Sequence, residues 1–63
     1  MGQLAYYRLY HIRRGHFALF DEIEADGDVE AMRQAGALIH EESAELWCGS
    51  RKVMEFPPRG EAG

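Results

Sequence analysis

From Leu4 to Ile12 the chain reads Leu-Ala-Tyr-Tyr-Arg-Leu-Tyr-His-Ile, dense in aromatic and branched residues and free of Gly and Pro. That composition predicts a strand. Arg13-Arg14-Gly15-His16 interrupts it, with Gly15 suited to a positive φ, and Phe17 to Ala25 resumes as a second strand. A two-residue turn at Arg14-Gly15 sets Ile12 opposite Phe17, Tyr10 opposite Leu19, Arg8 opposite Asp21 and Tyr6 opposite Ile23. The Arg8–Asp21 pairing of opposite charges supports this register. One face of the hairpin then carries Tyr6, Tyr10, Ile12, Leu19 and Ile23. The other carries Tyr7, Leu9, His11, Ala18 and Phe20. Both are apolar, so the alternation does not choose which one faces a core.

The period then changes. Asp26-Gly27-Asp28 ends the strand and offers helix N-cap residues, and Asp28 and Glu30 suit the positive end of a helix dipole. Met32, Ala35, Leu38 and Ile39 follow at spacings of three and four, with Val29 and Ala31 alongside, which predicts a helix over 28–40. Ala31, Ala35, Gly36 and Ala37 are small enough to let it lie close on a sheet. Glu41 and Glu42, unfavourable at the negative helix end, mark its exit. Ala44 to Cys48 is a third strand, Gly49-Ser50 a two-residue turn, and Arg51 to Phe56 a fourth strand. The turn pairs Trp47 with Lys52, Leu46 with Val53 and Glu45 with Met54. Pro57-Pro58 closes the sheet.

The expected fold class is therefore α+β: a four-stranded antiparallel sheet in ββαββ order with one helix packed on one face. Residues 1–56 make a single domain, and 57–63 form a flexible tail containing Pro and Gly. The packed face should join Met32, Ala35 and Ile39 to Leu46 and Val53.

Length sharpens this picture. A domain of 63 residues buries only about 60% of the surface its unfolded chain exposes. Small scaffolds usually add a disulfide, a metal or a partner. Cys48 is the only cysteine, so no disulfide forms within the chain, and a lone thiol fits a reducing compartment. The formal net charge of −4 argues against bulk attraction to nucleic acid or anionic membrane. No apolar run approaches the roughly 20 residues that span a bilayer, and the N-terminus lacks a signal-peptide layout. The expected location is cytoplasmic, with no membrane contact.

Little in the sequence points to catalysis. His11, His16, His40 and Cys48 do not make the close-spaced ligand pairs of a structural zinc site, so no metal and no cofactor is expected. Ser43, Cys48 and Ser50 lack a base and an orienting carboxylate in any local signature, and Asp21, Glu22 and Glu24 read as solvated charge. No enzymatic activity is expected. Arg8, Arg13 and Arg14 on the first hairpin, with Arg51 and Lys52 on the second and Arg59 beyond, form a candidate basic patch. Interleaved with aromatics, they offer a nucleic-acid surface as the alternative reading.

The strongest signal is surplus apolar surface, since one helix covers one sheet face and not two. The candidate interface residues are Tyr7, Leu9, Phe20 and Trp47, or Tyr6, Tyr10 and Ile12 if the helix takes the opposite face. The partner expected is a second copy, giving a homodimer, or a larger protein.

The run Tyr7-Arg-Leu-Tyr-His11, then Gly15-His16, Asp26-Gly-Asp-Val-Glu-Ala31 and Glu45-Leu-Trp-Cys-Gly49 resembles short bacterial domain-of-unknown-function proteins of alphaproteobacterial type. The resemblance spans most of residues 6–56. It implies a small sheet-and-helix domain and carries no activity with it. A weaker likeness is to the N-terminal domain of HicB-type antitoxins, which also run from a tyrosine-rich hairpin into an acidic-capped helix. The expectation is thus a small protein-binding or self-associating module, with an inhibitor or antitoxin-like protein as a sub-case.

Overall fold

The computed structural model describes residues 3–39 and 42–58. Four strands and one helix follow in the order β1 (Ala5–Arg13), β2 (His16–Ala25), α1 (Asp28–Leu38), β3 (Ala44–Cys48) and β4 (Arg51–Phe56). The strands make one antiparallel sheet in the order β2-β1-β3-β4, so the two hairpins meet along β1 and β3. The expected α+β class and ββαββ order are what the chain adopts. The expectations for His40, Glu41 and the chain beyond Pro58 lie outside the described residues.

The first turn is as read from the sequence. Arg14 and Gly15 both have positive φ, 56° and 80°, the pattern of a type I′ turn, whose twist matches that of a hairpin. Gly49, at φ 62°, opens the second turn.

Beyond each turn the expected register fails, for one physical reason. Ile12 faces Phe17, but His11 faces Leu19, so Ala18 is an extra residue, a bulge in β2. Every later pair shifts by one: Arg8 faces Glu22 instead of Asp21, Tyr10 faces Phe20, and Tyr7 faces Ile23. The second hairpin repeats the event. Trp47 faces Lys52 as expected, then Val53 is skipped, and Leu46 faces Met54 and Glu45 faces Glu55. Both edge strands are therefore bulged, which locally bends each one and changes the alternation of its side chains.

The helix lies on the face of Tyr7 and Leu9. The core is Tyr7, Leu9, Ile23, Ala25, Ala31, Ala35, Ala44 and Leu46, with Met32, Ile39, Cys48, Val53 and Phe56 partly buried against it. Leu9 and Leu46 face each other across β1 and β3, both 0% exposed. Burying such a side chain stabilises the fold by about 1.5–3 kcal/mol. Ala31 and Ala35 are fully buried, so the small residues do bring the helix close to the sheet. Leu38 and Val29, expected along the buried stripe, are instead exposed.

The helix α1 starts at Asp28 with Asp28 and Glu30 in its first turn, as expected, and its cap falls within the Asp26–Asp28 segment. Gly27 holds the N-cap position, with no side-chain cap bond, and the Ala31 amide donates to the Gly27 carbonyl at 3.0 Å. Asp28 lies inside the first turn and is engaged elsewhere. Its carboxylate accepts from the Tyr7 hydroxyl at 2.8 Å and from both Arg51 terminal nitrogens at 3.1 and 3.3 Å. One side chain thus ties helix, central strand and far edge strand together. The Gln34 amide also donates to the Glu24 carbonyl at 3.1 Å, fixing the helix to β2.

Candidate functional site: the open sheet face

With Tyr7 and Leu9 turned inward, Tyr6, Arg8, Tyr10 and Ile12 point to the opposite face, which no element covers among the described residues. Tyr7, at 3% exposure, and Leu9, at 0%, are core residues, which corrects their place among the interface candidates. The face the helix leaves open is that of Tyr6, Tyr10 and Ile12.

Phe20 moves as well. Without the bulge it would share a face with Leu9. The extra residue Ala18 sets it beside Tyr10 on the open side. Tyr10 stacks on Phe17 with ring centroids 4.9 Å apart and contacts Phe20 at 5.6 Å. The Arg8 guanidinium lies 4.7 Å above the Phe20 ring, a cation–π distance. Trp47, opposite Arg8 on β3, completes the aromatic set, and its indole nitrogen donates to Glu45 at 3.0 Å. Tyr6, Arg8, Tyr10, Glu22 and Trp47 line a shallow groove of about 320 Å³ on this face.

Exposure concentrates on the hairpin. All five residues from His16 to Phe20 are exposed, on both faces of β2, because α1 does not reach that far. Phe17 is 59%, Leu19 54% and Phe20 44% exposed, with Tyr6 at 71%. Phe17 and Leu19 were not among the interface candidates. Their signal was the place of Phe17 beside the turn and opposite Ile12, where a short helix cannot extend.

The basic patch does not assemble. Arg8 and Lys52 are on the open face, whereas Arg51 reaches Asp28 at the helix and Arg13 reaches Glu42 at 2.7 Å. Lys52 lies between Glu55 at 3.5 Å and Glu45 at 3.8 Å. Four of the five candidate cations are therefore occupied by acids or by an aromatic ring, and Arg14 forms no ion pair among the described residues.

No family model matches the chain, and no curated protein or solved structure matches it.

On the helix side, His11 is buried at 6% exposure, and its Nε2 lies 2.8 Å from Asp21 Oδ2. Among the described residues no group of three or more His, Cys, Asp or Glu could hold a metal ion. Also among them, no helix is long and apolar enough to cross a membrane. The Asp28 carboxyl is held below its ordinary value of 3.8, first by Arg51 and then by the Tyr7 hydroxyl. The Tyr7 phenol is pushed above 10.0, mainly because it donates to Asp28 and also because of its burial. Both shifts belong to this structural clamp, not to the open face.

Proposed function

We propose that the protein is a non-catalytic, self-associating module whose interface is the exposed end of the first hairpin, with a second copy of the chain as its occupant. The observation that carries this is the cluster of Tyr10, Phe17 and Phe20 with Arg8 laid over it, left uncovered by the helix. Aromatic rings and arginine provide large contact area at low entropic cost and dominate interface hot spots. The small core is a second support. A chain that buries few large side chains gains proportionately more from covering exposed aromatics. The charge order along the hairpin is the third: basic Arg14 lies at one end of the exposed segment and acidic Glu22 at the other, so two antiparallel copies attract.

The nucleic-acid alternative has less support, because its arginines and lysine are dispersed and mostly engaged by carboxylates. Sedimentation velocity across a concentration series tests the proposal, with Phe20→Ser and Tyr10→Ser beside the parent. The expected result is a parent that dimerises, with only a modest loss of affinity as salt screens the charge pairs, and variants that remain monomeric but folded. A parent that stays monomeric at high concentration yet binds single-stranded oligonucleotide in a steeply salt-dependent manner would overturn it.

A further inference from the structure

The reading above names a surface; the free edge of β2 carries the geometry further, and the inference rests on that reading. We propose that two copies of this chain join β2 edge to β2 edge across a two-fold axis, in the register that sets Phe17 of one copy opposite Phe20 of the other. The sheet becomes eight-stranded and continuous.

β2 ends the sheet order, so among the described residues one side of its backbone has no strand beside it. It is the longest strand, ten residues, and its first five are exposed on both faces. The other edge is a poorer candidate. β4 has six residues, carries Arg51, Lys52 and Glu55, and runs into Pro57, which cannot donate to a ladder.

The bulge sets the register. In an antiparallel pair about a two-fold axis normal to the sheet, open face must continue open face. Phe17 and Phe20 both lie on the open face, because the extra residue Ala18 between them changes the alternation. They therefore face each other across the axis, twice per dimer. His16 pairs with Arg13 and Asp21 with Leu9, so both lie on the helix side, and the same register brings His16 opposite Asp21 of the second copy. The two bulges meet at the axis. An unbulged strand would set an open-face residue against a helix-side one in this alignment.

Charge favours the same direction. The Arg14 end of each exposed segment lies against the Glu22 and Glu24 end of the other copy, and the symmetry makes that contact twice. A parallel alignment would set like charges together.

The test is a charge-swap pair, Arg14→Glu and Glu22→Arg, with Leu19→Lys as a second probe. Leu19 is more than half exposed, so a lysine there leaves the monomer fold intact while placing a charge on the pairing edge. Circular dichroism first establishes that each variant is folded. Each swap alone is expected to weaken dimerisation by about tenfold, since it creates two repelling contacts per dimer. Mixing the two swaps is expected to restore a heterodimer of near-parental affinity, and Leu19→Lys to remain monomeric. If the parent dimerises but the mixture gains nothing and Leu19→Lys dimerises as the parent does, the edge geometry is overturned and the interface reading stands. A monomeric parent overturns both.

Discussion

The Tyr7 hydroxyl donates a 2.8 Å hydrogen bond to Asp28, joining the buried centre of the sheet to the first turn of the helix. Arg51, from the far edge strand, closes on the same carboxylate. The clamp fixes which sheet face the helix covers, and therefore which face is left open.

Asp28→Asn tests the clamp by its pH dependence. The folded-state carboxyl is depressed, so its contribution is fully present above the unfolded value and is lost as pH falls through the folded one. Asn mimics the protonated acid. The variant is expected to melt below the parent at neutral pH, with the gap narrowing as pH falls through and below 3.8. A gap independent of pH would show that the ionised carboxylate is not what Tyr7 and Arg51 stabilise.

Leu9 and Leu46 make the central core contact. Leu46→Ala is expected to cost about 2–5 kcal/mol in urea unfolding, and Leu9→Ala a similar amount. Because the two touch across β1 and β3, the double variant should cost less than the sum. Ile39→Ala should cost less than either, since Ile39 is only partly buried.

Arg14 adopts φ 56° in the first turn, a conformation that asparagine tolerates better. At concentrations where the chain is monomeric, Arg14→Asn is expected to stabilise it by about 0.5–1 kcal/mol. An unchanged melting temperature would indicate a turn relaxed away from type I′.

Element boundaries were legible because the spacing of apolar residues changes from two to three-and-four and back, and because Gly15 and Gly49 punctuate both turns. Register was legible only as far as each turn reaches. The pairs Ile12–Phe17 and Trp47–Lys52 follow from turn length, whereas Ala18 and Val53 carry nothing in their residue type that announces a bulge. The choice of face was not legible either. Tyr6 and Tyr7 are chemically identical, and what separates them is Asp28, twenty-one residues from Tyr7, which accepts its hydroxyl. That contact depends on where the helix starts. The candidate site was therefore half visible: Tyr6, Tyr10, Phe20 and Trp47 were named, Tyr7 and Leu9 belong to the core, and Phe17 was placed opposite Ile12 but not named, while only the bulge brings Phe20 to its face.

Amide hydrogen exchange across a concentration series reports directly on whether a second copy covers the exposed segment of β2. Amides of residues 16–20 have no helix over them, so in a monomer they open with the hairpin end. Their exchange is expected to slow as concentration rises, while exchange along Arg51–Phe56 of the opposite edge stays constant. Exchange at 16–20 that is fast and independent of concentration, up to the point where the protein precipitates, would contradict it.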